Sequence, residues 1–152
     1  MMKSKAVLAA LAVMLIVTVV GDTSRLHAAA AEPVAAAGAV KVTVNYKGSG
    51  TVDGSHRVWI WLFSSPDIGP ASMPIAQMSV EKNGDTATFE VGDDRVWIAV
   101  AYDEKGMMTG NEPPPPGTPI GLYTSSTGAP EAVTPGAKGA VTVTFDDSQR
   151  MP

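Results

Sequence analysis

Val58-Trp59-Ile60-Trp61-Leu62-Phe63 holds two of the chain's three tryptophans, and every residue in it is β-branched, aromatic or leucine. Six such residues make about one strand. Val96-Trp97-Ile98-Ala99-Val100-Ala101-Tyr102 repeats the pattern and holds the third tryptophan. Both stretches read as central strands. Side chains alternate between the two faces of a strand. Val58, Ile60 and Leu62 therefore share one face, and Trp59, Trp61 and Phe63 the other. In the second stretch Val96, Ile98, Val100 and Tyr102 oppose Trp97, Ala99 and Ala101. If the aliphatic faces of all strands meet in one core, the three indoles lie together on the far surface of a sheet.

Two readings of that surface stay open. The loop Asn111 to Pro119, with four consecutive prolines at Pro113 to Pro116, can cover the indoles, since proline rings pack well on aromatic faces. Alternatively, the indoles form a recognition platform for a sugar ring, a peptide or another protein, because exposed apolar patches mark binding sites. The candidate binding residues are Trp59, Trp61 and Trp97, with Pro114 and Pro115 in the loop that would form one wall. Burial of both faces of the two central strands is a variant of the covered reading.

The flanking chain supplies the outer strands. Val40, Val42, Val44 and Tyr46 alternate with Lys41, Thr43 and Asn45, which is the pattern of a half-buried strand. Met73 to Glu81 is extended, Asn83-Gly84 is a tight-turn signal, and Thr86 to Val91 follows with Ala87, Phe89 and Val91 on one face. These predict a β-hairpin. Ile120 to Tyr123 is a short candidate strand, and Gly139 to Phe145 alternates Val141, Val143 and Phe145 with threonines. No stretch after the leader sustains a helical period. Six to seven short strands at turn-marked intervals predict an all-β chain, folded as a single antiparallel β-sandwich.

The first 31 of the 152 residues read differently. Lys3 and Lys5 precede an apolar run from Ala6 to Val20, and small residues close it at Ala28 to Ala31. That is the pattern of a secretory signal peptide. The run is short for a bilayer span, so the chain meets a membrane only if this leader stays uncleaved. The expected organisation is a signal peptide at 1–31, a spacer at 32–39, a domain at 40–146 and a polar tail at 147–152. The chain is thus expected in the periplasm or outside the cell.

Composition excludes several chemistries. The chain has no cysteine, which removes disulfides, thiol nucleophiles and thiolate metal sites. Lys3, Lys5 and Arg25 leave with the leader, as does Asp22. The 11 basic and 15 acidic residues become 8 and 14, a net charge of −6. Such a surface repels phosphate backbones, so no nucleic-acid partner is expected. No phosphate-binding glycine loop, His-Glu-x-x-His helix or Gly-x-Ser-x-Gly elbow occurs, and no cofactor is expected. His56 is the one histidine after the leader. With nearby carboxylates it is the one opening for a hydrolase. Asp103 and Glu104 open an Asp-x-x-Gly stretch like half of a calcium loop, with Lys105 where a ligand would be wanted.

Several segments together resemble a known type. The Ala-Glu-Pro exit at 31–33, Val-Lys-Val-Thr-Val at 40–44, Arg-Val-Trp-Ile-Ala-Val-Ala-Tyr-Asp-Glu-Lys-Gly at 95–106 and Gly-x-Pro-Ile-Gly-Leu-Tyr at 117–123 are similar to small secreted bacterial β-sandwiches of the transthyretin-like or carboxypeptidase regulatory-like type. The resemblance spans about Val40 to Phe145. It implies an Ig-like sandwich and offers no catalytic residues. On this reading the protein is a non-enzymatic binding or accessory module of the cell envelope, with an envelope protein, peptide or carbohydrate as partner.

Overall fold

The computed structural model describes residues 38–136 and 138–152. The leader 1–31 and most of the spacer lie outside the described residues. Seven strands form two sheets, with no helix among the described residues. They are β1 (Ala39–Tyr46), β2 (Val58–Phe63), β3 (Ala76–Val80), β4 (Thr86–Glu90), β5 (Trp97–Tyr102), β6 (Ile120–Leu122) and β7 (Ala140–Phe145). One sheet has the order β4-β1-β7 and the other β3-β2-β5-β6.

The two tryptophan-bearing strands are neighbours, β2 against β5, in the middle of the four-stranded sheet. Their register sets Ile60 opposite Val100 and Trp61 opposite Ala99. One buried cluster takes the aliphatic faces of both sheets. It includes Val40, Val42 and Val44 of β1, Ile60 and Leu62 of β2, Phe89 of β4, Ile98 and Val100 of β5, and Val143 of β7. Tyr46, Tyr102 and Phe145 complete it at one end, with the Tyr46 and Tyr102 rings stacked at 4.4 Å. None of the tryptophans belongs to this cluster, as alternation predicts.

Two expectations are corrected. The strands are not all antiparallel, because β1 and β7 pair in parallel from Lys41–Ala140 to Tyr46–Phe145. Alternation says which side chains are buried but nothing about strand direction. Nor do β3 and β4 form a hairpin. The Asn83-Gly84 turn carries the chain from one sheet to the other, so β3 pairs with β2 and β4 with β1. The Asn83 side chain explains why. Its Oδ1 accepts from the Tyr46 N–H and its Nδ2 donates to the Tyr46 C=O, each at 2.7 Å. The amide thus extends the β1–β4 ladder in place of a strand residue. Gly84, at φ +88°, places its N–H on the Val44 carbonyl.

The tail is docked. Asp147 accepts from the Tyr46 hydroxyl and from the Ser49 N–H and Oγ. The Arg150 guanidinium forks onto Glu104 at 3.0 and 3.1 Å and donates to the Gly117 carbonyl. The backbone of Gln149 and Met151 pairs with Gly117 to Ile120, along the approach to β6 and its first residue.

Candidate functional site

On the far face of the four-stranded sheet, alternation produces a second apolar cluster. Trp61, Phe63 and Ala101 are buried there, with Trp59, Ile68, Ala99, Met108 and Ile120 packed against them. Ala99 and Ala101 stand opposite the two indoles of β2 and leave room above the sheet. Trp59 and Trp61 stack, with ring centroids 6.4 Å apart and planes 24° from parallel.

The segment after β5 lies over this cluster. The Asp103 carboxylate, itself buried, accepts from the N–H groups of Met107 at 3.1 Å and Met108 at 2.8 Å. That folds the chain back across the sheet. Gly110 then meets the indoles. Its carbonyl accepts the Trp61 Nε1–H at 2.9 Å, and its φ of +80° brings its backbone onto the Trp59 ring. Asn111 Oδ1 accepts from Gln77 Nε2 on β3 at 2.7 Å. Trp61 is thereby buried and Trp59 half-buried, and the segment over them is Met108 to Gly110, not the Asn111–Pro119 proline loop expected to cover them. Trp59 Nε1 is buried there without a hydrogen-bond partner among the described residues. Such an orphan donor costs about 1–3 kcal/mol.

The cover is incomplete, and what it leaves is a groove. A cavity of about 630 Å³ opens beside the covered indoles. Its floor is Trp61, Phe63, Ala99 and Ile120. One wall is Ile68 to Pro74, the other Gly110 to Pro114, and Met151 and Pro152 close one end. Polar groups are few, among them Gln77, Asn111, Glu112 and Gln149. Met73, on the rim, is 84% exposed.

The groove gathers part of the residue set picked from the sequence. Trp61 and Pro114 line it. Trp59 lies under the cover beside Trp61. Trp97 is half-buried, paired with Phe63 across the β2–β5 ladder on the same face of the sheet, and does not line the groove. Pro115 lines a smaller cleft of about 200 Å³ with Asp103, Glu104 and Glu112. Phe63 shares the indole face by parity and could have been chosen with them. The Ile68–Pro74 wall and the Met151 end carried no sequence signal of their position.

The remaining candidates have other partners. Both Asp103 oxygens hold loop N–H groups and Glu104 holds Arg150. Among the described residues no cluster of three or more histidines and acids is placed to hold a metal. His56 Nδ1 lies 3.1 Å from Asp53 Oδ1 on an exposed turn. The N–H groups of His56 and Ser55 hold the Asp53 carboxyl below the usual aspartate range, with the imidazole adding to it. No protein-family model, curated protein or solved structure gives a significant match to this chain.

Proposed function

We propose that the protein is an exported, non-enzymatic binding module of the cell envelope. On this proposal its two sheets form an Ig-like or transthyretin-like sandwich, and an apolar group of a peptide or other envelope component binds on the tryptophan-bearing face. The groove carries the proposal. Its volume of about 630 Å³ lies within the range of roughly 300–1,000 Å³ typical of small-ligand sites. It is floored by aromatic and aliphatic side chains and offers only a few polar groups for orientation, which is the usual composition of such sites. The leader at 1–31 supports export. A hydrolase would have to draw on His56 and Asp53, and neither lines the groove.

The test is titration with an apolar fluorescent probe, comparing wild type with Met73→Glu and Pro113→Glu. Both residues are exposed on opposite walls, so the fold tolerates the change. Probe affinity should fall by about tenfold or more in each variant, with melting temperature unchanged, because a carboxylate on the rim must be desolvated to admit the probe. His56→Ala should bind as wild type does. A wild type that does not bind apolar probes, or rim variants that bind equally well, would refute the proposal.

A further inference from the structure

Of the side chains that line the groove, only that of Glu112 carries a charge; no lysine, arginine or histidine lines it. Glu112 is exposed, and among the described residues it makes no ion pair. The acids nearest in sequence are already engaged. Asp103 is buried on the N–H groups of Met107 and Met108, and Glu104 holds Arg150. Glu112 and Pro113 also line the smaller cleft, so the two cavities adjoin at this carboxylate. Lys105 lines the cleft and not the groove. The backbone on both sides of Glu112 is constrained. Asn111 is tied to Gln77 of β3 at 2.7 Å, and four prolines follow, each with its φ fixed by the ring. A ligand group that pairs with Glu112 therefore has little chain to order, which lowers the cost of binding.

From this arrangement we infer that the groove takes a small cationic amphiphile. Its apolar chain lies along the Trp61, Phe63, Ala99 and Ile120 floor, and an ammonium group at its end pairs with Glu112. The inference rests on the groove being a binding site and adds the charge and size of what binds. A volume of about 630 Å³ takes one drug-sized molecule. The sign of the charge follows from the lining. An anionic head group, carboxylate or phosphate, would face Glu112 with no cation in the groove to answer it, and the chain's net negative charge adds to the repulsion. An uncharged amphiphile gains apolar burial alone. A cation gains the burial and the pairing. An exposed pair of opposite charge is worth up to about fivefold in affinity, and the matching repulsion a similar factor. The ammonium form should therefore bind about tenfold or more tighter than the carboxylate form of the same chain at low salt.

The test is displacement of the apolar fluorescent probe from the full chain by three molecules that share one tail: decylamine, decan-1-ol and decanoate, at neutral pH, low salt and below any micelle threshold. In the wild type the amine should bind tightest and the carboxylate weakest. Glu112→Gln should shrink the gap between amine and carboxylate from about tenfold to about twofold or less, and Glu112→Lys should reverse their order. Glu90→Gln, on exposed β4 of the other sheet, removes the same net charge and should keep the wild-type order, which separates pairing at Glu112 from the field of the whole chain. Raising the salt should narrow the gap in the wild type. Amine and carboxylate that bind the wild type equally overturn the inference, as does a preference that survives Glu112→Gln. Tighter displacement by a basic apolar peptide than by the amine overturns the small-molecule occupant. If the probe and decan-1-ol bind but charge makes no difference, the groove proposal stands and this inference alone fails; if neither binds, both fail.

Discussion

Gly110→Ala tests the junction between the cover and the sheet. A Cβ built on Gly110 lies 2.5 Å from Trp59 Cε3 and nearer still to Cζ3. Ordinary carbon–carbon contact is about 3.5–4.0 Å, so ring and backbone must separate by more than 1 Å. Trp59 is fixed in the middle of a four-stranded sheet and stacked on Trp61, so the segment above it must give way. Lifting that segment breaks the Trp61 Nε1–H bond to the Gly110 carbonyl, worth about 1 kcal/mol net. Holding alanine at φ +80° costs about 1–3 kcal/mol more. The expected loss is about 3 kcal/mol, or roughly 10 °C in melting temperature for a domain of this size. Urea unfolding followed by tryptophan fluorescence measures it. Acrylamide quenching in the native state should rise as the indoles are uncovered. A loss below about 1 kcal/mol with unchanged quenching would refute this account of the cover.

Further expectations concern the crossing turn, the tail and pH. Asn83→Ala removes both bonds to the Tyr46 backbone and should destabilise by about 2 kcal/mol in chemical denaturation, whereas an ordinary solvated turn residue would cost little. Ending the chain after Asp146 removes the Asp147 clamp, the Arg150–Glu104 pair and the strand-like contacts to Gly117–Ile120, and should lower the melting temperature by roughly 5–10 °C. The Tyr46 hydroxyl, with the Ser49 N–H, holds the Asp147 carboxyl below the usual aspartate range. The stabilisation from Asp147 is therefore present above the ordinary aspartate pKa of about 4 and lost as pH falls below it; Asp147→Asn should flatten that acid limb in pH-dependent melting. Burial, reinforced by Asp147, pushes the Tyr46 phenol up. The unfolded chain then ionises first, and stability should decline as pH rises past about 10, an effect Tyr46→Phe should reduce but not abolish, because burial pushes the Tyr102 phenol up as well.

Alternation made the central part of this fold legible. The parity of β2 and β5 assigned Ile60 and Val100 to one interior and Trp59 and Trp61 to the opposite face before any partner strand was known. It was silent on pairing, because the period of a strand carries neither direction nor neighbour. Hence the parallel β1–β7 contact went unforeseen, and Asn83-Gly84 read as a hairpin when its amide was serving Tyr46 of a different sheet. The site was legible in half. Trp61 and Pro114 could be chosen by residue type, but the second wall at Ile68 to Pro74 and the closing Met151 depend on where irregular segments land. Prolines and glycines show that a segment is irregular, not what it lies against. Trp97 stood out by the same composition as Trp61 and yet sits outside the groove, at the Phe63 end of the ladder.

The parallel pairing of β1 and β7 has a mechanical consequence. Tension applied through the residues before Ala39 and after Phe145 draws these neighbours past each other along their length. All the hydrogen bonds between Lys41–Tyr46 and Ala140–Phe145 then resist together, whereas an antiparallel terminal pair would open one bond at a time. Ala39 and Phe145 lie at opposite ends of this strand pair, so a load borne between these two residues is met by sliding and not by peeling.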